Sequence, residues 1–267
     1  MKSILYCKHF VRSFLGNPGK PQNQCQAETS VAATLKSKVS YWENTLEASP
    51  FVLDIIKEGY RIPFTSEPPP SYDKNNASAT RNREFVEKSI KELLADGRIR
   101  ETKIKPHNVN PLSVSEGQKL RLVLDLRNVN PYVNNVKFKY EGLKTASDLL
   151  EKDDFMATFD LKNGYHHIPI DENFQGYLGF AWTFADGSTK FYVYTVLPFG
   201  LSSASYVFTK FTRPLIKKWR AAGIKNIMYL DDGIIIAPTS DTAKQICETI
   251  RQDLKGAGVT LNEEKTN

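Results

Sequence analysis

Two short apolar runs, 227–230 and 233–237, meet at an adjacent pair of carboxylates, Asp231 and Asp232. Runs of this length, rich in isoleucine and bounded by polar residues, read as β-strands, and a junction this short makes them a tight hairpin. Two neighbouring carboxylates at a hairpin tip repel each other. A cation relieves that repulsion, and hard oxygen ligands suit magnesium. Aspartate is also a favoured turn residue, so the pair alone is compatible with a plain turn.

A second acid gives the pair a partner. Asp160 closes the apolar run Phe155-Met156-Ala157-Thr158-Phe159. Two-metal phosphoryl transfer needs carboxylates from separate strands converging on ions about 3.5–4 Å apart. Asp160 and the Asp231-Asp232 pair meet that need if their strands are neighbours in one sheet; otherwise Asp160 is a strand end or a helix cap. A third feature is Leu197-Pro198-Phe199-Gly200-Leu201-Ser202-Ser203-Ala204. Its glycine and small residues ahead of a helix let a flat ligand approach the backbone closely, although a strand-to-helix turn needs the same residues.

The remaining pattern alternates helix and strand. Phe51, Val52, Ile55 and Ile56 fit one face of a short helix that Gly59 stops, and residues 61–64 read as extended. Residues 67–79 read as a linker stiffened by Pro68-Pro69-Pro70. A helix is predicted over 82–96, with Val86, Ile90, Leu93 and Leu94 on one face and Gly97 at its end. Residues 111–114 and 119–126 form a hairpin around Ser115-Glu116-Gly117-Gln118. Strands are expected at 180–184 and 191–196, joined through Asp186-Gly187. A helix near 145–151 precedes the Asp160 strand. The spacing of Val207, Phe211, Leu215 and Trp219 predicts a long helix over 203–222, distorted at Pro214. A last helix is predicted over 241–255. This order gives an α+β fold.

Residues 1–40 carry little periodicity and read as a poorly ordered leader. Three domains of organisation follow: the leader, an N-terminal helix with its Pro-rich linker at 41–80, and a main domain at 81–267. Net charge is +6, which suits a polyanionic partner without requiring one. The three cysteines, Cys7, Cys25 and Cys247, are too scattered for a disulfide framework or a zinc site. No stretch reads as a signal peptide or a membrane span. The expectation is a soluble intracellular protein, cytoplasmic or nuclear, with no membrane partner.

The motifs together resemble a known family. Phe159-Asp160-Leu161-Lys162-Asn163-Gly164-Tyr165 is similar to the first palm motif of reverse transcriptases, 197–208 to the second, and Tyr229-Leu230-Asp231-Asp232 to the third. Residues 119–130 resemble the fingers segment. Residues 257–266 resemble the fourth palm motif. The blocks stand in the family's order from about Glu84 onward. They are most similar to retrotransposon enzymes of the gypsy type or the DIRS-like tyrosine-recombinase type, and the segment 42–64, with Gly59-Tyr60-Arg61-Ile62-Pro63-Phe64, leans toward the second.

The resemblance implies a right-hand polymerase fragment: fingers, and a palm whose antiparallel sheet is backed by helices. It implies RNA-directed DNA synthesis, with a primer 3′-hydroxyl attacking the α-phosphate of a dNTP on an RNA or DNA template. Two magnesium ions, or manganese in their place, are implied at Asp160, Asp231, Asp232 and the Leu161 carbonyl. Arg121 matches the position that grips the triphosphate, with Lys119 assisting. Tyr165 matches the steric gate that excludes a 2′-hydroxyl. Phe199 and Gly200 are implied beside the nucleotide, Phe199 standing where retroviral enzymes carry Gln. Lys265 is implied as a proton donor to pyrophosphate.

Many relatives have Pro where Ser205 stands; Ser205 is expected to cap the helix instead. The thumb and RNase H regions of the parent polyprotein are expected beyond Asn267. An alternative reading is an inactive nucleic-acid-binding remnant of such a polymerase. A third, another two-metal enzyme such as a nuclease, has no need of Tyr165, Arg121 and the 197–204 turn together.

Overall fold

A computed structural model describes residues 31–264 and 266. Cys7, Cys25 and Lys265 therefore lie outside the described residues. The chain opens with three helices, α1 (Val31–Lys36), α2 (Val39–Asn44) and α3 (Pro50–Glu58). Pro50 at the first turn of α3 needs no backbone donor there, and Gly59 ends the helix at φ +96°. The expectation of a poorly ordered leader through residue 40 is corrected at its end. Leu35 of α1 is almost fully buried; just beyond the expected leader Trp42 is buried too, and its indole Nε1–H donates to the Ala257 carbonyl at 2.9 Å.

The Pro-rich stretch is more than a linker. It supplies β1 (Ser71–Tyr72) and α4 (Ala77–Arg81), with α5 (Arg83–Ala95) following at once. Asn108 holds the prolines down by donating from Nδ2 to the Pro69 carbonyl at 2.8 Å and to Ser71 Oγ at 2.9 Å. Then come β2 (Ile99–Thr102), β3 (Asn108–Val109), β4 (Leu112–Glu116) and β5 (Leu120–Leu124). β4 and β5 are the expected hairpin, with Ser115 opposite Arg121 and the tip at 117–119.

Next are α6 (Leu143–Leu149), β6 (Phe155–Asp160), β7 (Gly179–Thr183) and β8 (Thr189–Tyr194). α7 (Ala204–Ala221), β9 (Lys225–Tyr229), β10 (Asp232–Ala237) and α8 (Ser240–Ala257) complete the chain. α7 continues as one helix across Pro214. The hydroxyl of Thr239 caps α8 by accepting from the Thr242 N–H at 3.1 Å.

Three sheets result. A mixed five-stranded sheet runs β1-β3-β7-β8-β2, a three-stranded sheet runs β6-β10-β9, and β4-β5 stands as a pair. The three-stranded sheet is antiparallel throughout. Its inner face carries Ala157, Phe159, Met228 and Ile235, all buried, and packs on α7 and α8. Phe159 meets Trp219 of α7 edge-on at 5.8 Å, and Trp42 meets Phe211 at 4.7 Å. One core thus ties the N-terminal helices, α7, α8 and the sheet together. The inner face of α7, spaced as the sequence indicated, contributes Val207, Phe211, Leu215 and Trp219 to that core.

Behind the sheet, Asp253 of α8 accepts from Tyr41 Oη at 2.7 Å and from Trp219 Nε1 at 2.9 Å, and pairs with Lys218. A buried carboxylate with three donors is satisfied rather than stranded. No helix among the described residues is long and apolar enough to cross a membrane.

Candidate active site

The hairpin turn holds the first carboxylate. Tyr229 pairs with Asp232, which leaves a two-residue loop of Leu230 and Asp231. Two-residue hairpin loops match the strand twist when a loop residue has positive φ, and Leu230 takes that role at φ +55°. A branched side chain is strained there. Asp232 therefore lies on the strand, not in the turn. It faces Asp160 as its direct partner across β10 and β6.

Asp160 and Asp231 are joined through the backbone. The Leu161 N–H donates to the Asp231 carbonyl at 2.9 Å. A Cβ on Gly164 would stand 3.1 Å from the Cβ of Asp231, so this glycine lets the 161–165 turn lie against the hairpin tip. Asn163 makes that turn at φ +60°, a conformation asparagine tolerates.

The 260–262 segment braces the same turn from the other side. Asn262 donates from its backbone N–H to the Asp160 carbonyl and from Nδ2 to Asp160 Oδ1, both at 2.8 Å. Thr260 donates its N–H to His167 Nε2 at 3.0 Å, so the Nδ1 proton of His167 points to the Gly164 carbonyl, also 3.0 Å away. Both neighbouring imidazoles are buried. Burial, the Arg98 charge and His167 push His166 down to about 3, and burial lowers His167 as well.

These elements surround a cleft of about 1070 Å³. Of the residues singled out in the sequence, Asp160, Asp231, Leu161, Arg121 and Phe199 line it. Arg121 reaches it from β5, and its side chain makes no ion pair with the described residues. Lys119, at the hairpin tip, and Asp232 are both exposed, and neither is part of the lining. Gly200 turns the chain at φ +102°, with the Leu124 carbonyl 2.9 Å from where its Cβ would be. Asn130 holds that turn, donating from Nδ2 to the Gly200 carbonyl and accepting from the Ser202 N–H, each at 2.9 Å.

Tyr165 stands against the cleft wall rather than in it. Its ring contacts Phe199 at 5.1 Å and Phe208 at 5.2 Å. Its hydroxyl is 2.8 Å from Ser205 Oγ. Burial raises the phenol's pKa, and the Ser205 hydrogen bond partly offsets this. The expected cap is thus corrected: Ser203 is the N-cap of α7, without a side-chain cap bond, and Ser205 turns to Tyr165. The Ser203 hydroxyl is itself engaged, accepting from Tyr60 Oη at 3.0 Å.

Three carboxylates on two paired strands and one turn form a hard-oxygen donor set suited to a divalent cation. As the side chains are oriented, no three His, Cys, Asp or Glu among the described residues are grouped to hold an ion; the strand register places Asp160 opposite Asp232. His167 was not singled out in the sequence. Asn262 and Asn130 entered only as members of the fourth motif and of the fingers segment, and Ser205 only as a helix cap.

Residues 101–267 match the family model described as reverse transcriptase (RNA-dependent DNA polymerase). The Drosophila melanogaster retrovirus-related Pol polyprotein from transposon gypsy is 28% identical over 190 residues, covering 68% of this chain and 18% of the relative. The corresponding polyprotein from transposon 297 is 30% identical over 207 residues, 70% of this chain and 18% of the relative. The Gag-Pro-Pol polyprotein of human T-cell leukemia virus 2 is 25% identical over 208 residues, 74% of this chain and 14% of the relative. The chain thus spans less than a fifth of each of these relatives, and over that span its motifs, its paired aspartates and its match to the family model agree: it belongs to the reverse transcriptase family.

Proposed function

We propose that this chain is the fingers-and-palm part of a retroelement reverse transcriptase, adding dNTPs to a primer 3′-hydroxyl on an RNA or DNA template. The observation that carries this reading is the meeting of Asp160 and Asp231 in one cleft with Arg121, while Asp232 pairs with Asp160 across the strands. In this reading the β6-β10-β9 sheet is the palm and the β4-β5 hairpin belongs to the fingers.

Asp160, Asp231 and Asp232, with the Leu161 carbonyl, would hold two magnesium ions, or manganese. When bound, the ions lower the pKa of the primer hydroxyl and offset charge on the triphosphate. The guanidinium of Arg121 would grip the triphosphate from the hairpin, its planar fork matching phosphate oxygens, and Lys119 would add charge from the tip. Tyr165, seated against Phe199, would pack under the sugar and leave no room for a 2′-hydroxyl. Gly200 would let the nucleotide approach the backbone. Lys265 would protonate the leaving pyrophosphate. The thumb and RNase H functions would come from other parts of a longer polyprotein, in line with the relatives' names.

Primer extension on poly(rA)·oligo(dT) with dTTP and magnesium tests the reading. Incorporation by the wild-type chain that is lost in Asp231→Asn supports it. Equal incorporation by both sinks the assignment of the carboxylates. Template-primer binding without incorporation favours an inactive remnant.

A further inference from the structure

Two tyrosines are tied to the start of one helix. Tyr60 Oη donates to Ser203 Oγ at 3.0 Å deep in the core. Two residues on, Ser205 Oγ lies 2.8 Å from Tyr165 Oη at the edge of the cleft. Ser205 occupies the first turn of α7, where backbone donors have no intrahelical partner and a serine hydroxyl would ordinarily accept from one. Here it does not. Its own carbonyl accepts from Thr209 Oγ1 at 2.8 Å, and its hydroxyl is directed at the phenol.

The Tyr165 ring is held on three sides. Phe208, one turn further along α7, meets it edge-on at 5.2 Å, and Phe199 leans on it at 5.1 Å. Phe199 is 46% exposed and lines the cleft. Phe208 is fully buried and anchored in the core. Aromatic contacts fix the ring's body but allow it to slide in its own plane. A hydrogen bond at the para position removes that freedom, because it pins the far end of the ring to a helix.

We infer that Ser205 is a positioning residue for sugar selection: its hydroxyl fixes the height of the Tyr165 ring, and through it Phe199, so that the nucleotide site excludes a ribose 2′-hydroxyl. The inference rests on the polymerase reading above and deepens it. Losing either hydroxyl should let the ring yield to a ribonucleotide. Ser205→Ala and Tyr165→Phe therefore produce the same defect, and combining them adds nothing, because both remove one bond.

The test measures kcat/KM for dTTP and for UTP in primer extension on poly(rA)·oligo(dT). The wild-type chain is compared with Ser205→Ala, Tyr165→Phe, the double variant and Ser205→Thr. We expect the preference for dTTP over UTP to fall about three- to tenfold in each single variant, the range one net neutral hydrogen bond supports. It falls no further in the double variant and is retained in Ser205→Thr, which keeps the hydroxyl. A wild-type preference in Ser205→Ala, or additive losses, overturns the inference. A parallel arm needs no turnover: dTTP and UTP protection against thermal unfolding, in magnesium, for the same proteins. A dTTP advantage in the wild type that shrinks in Ser205→Ala supports the inference, and equal protection of the wild type by both nucleotides overturns it. Absence of Asp231-dependent incorporation strikes the polymerase reading instead, and the thermal arm then still decides the role of Ser205.

Discussion

The imidazole of His167 bridges two segments of the cleft wall, accepting from the Thr260 N–H through Nε2 and donating through Nδ1 to the Gly164 carbonyl. It can do both only as the neutral ring. Protonation would set two N–H groups facing each other at Thr260 and place a charge in a buried site.

A pH dependence of stability follows. His166, facing Arg98 and His167, is held down to about 3, and His167 is lowered too. Their unfolded values lie near 6.5. The unfolded chain therefore binds more protons than the folded chain once the pH drops below about 6.5, so stability is full above that value and is lost toward acid. The slope is about 1.4 kcal/mol per pH unit for each histidine. Between pH 7.5 and 5.0 this amounts to roughly 2–4 kcal/mol for the pair. Urea unfolding midpoints at the two pH values check it. His166→Gln should flatten the dependence; an unchanged midpoint in the wild type would show that neither ring is kept neutral by folding.

Asn262 orients the carboxylate of Asp160 through Nδ2. Groups that hold a ligand carboxylate from behind commonly change metal affinity about tenfold or more when removed. Asn262→Ala should therefore raise the magnesium concentration needed for half-maximal incorporation by about tenfold, with little change in KM for dTTP. The opposite split, an unchanged magnesium requirement and a raised KM, would mean that Asn262 serves the nucleotide and not the ion site.

The N-terminal helices should matter to stability although they lie outside residues 101–267, the span matched to the family. Trp42 is fully buried. Trp42→Ala leaves a large cavity and an orphaned Ala257 carbonyl, at a cost of about 3–5 kcal/mol. Asp253→Ala strands the donors of Tyr41 and Trp219; Lys218 is a third exposed and rehydrates, so about 2–3 kcal/mol is expected. Chemical denaturation at neutral pH measures both. Losses under 1 kcal/mol would mean that α2 is only loosely docked.

Leu230 offers a substitution in the other direction. At φ +55° a branched residue stores on the order of 1 kcal/mol, which asparagine tolerates better. Leu230→Asn should raise the urea midpoint slightly while leaving Asp231 in the turn. A fall in the midpoint would show that the packing of the leucine side chain outweighs its backbone strain.

The sequence revealed what is local. The 227–237 hairpin was legible because isoleucine-rich runs have few other options, and α5, α7 and α8 because their apolar residues recur every three or four positions. Even there the turn was displaced by one residue, since the identity of Asp does not say which of two neighbours sits at the tip. What escaped was non-local. β1 is two residues inside a proline-rich stretch and exists only because β3 lies alongside it. Asn262 and His167 find their partners 102 and 93 positions away. Ser205 had a sound local reading as a cap; the nearby phenol of Tyr165 won its hydroxyl instead.

The bond from Trp42 to Ala257 joins positions 215 residues apart. At a synthesis rate of about 5–20 residues per second, the tryptophan emerges roughly 10–40 s before its acceptor exists. Throughout that interval α2 can pack on α3, but the indole N–H of Trp42 lacks its acceptor and the α8 side of the helix stays uncovered. Closing so long a loop is also a slow step. Docking of α2 against α8 is therefore tied to release of the 257 region from the ribosome.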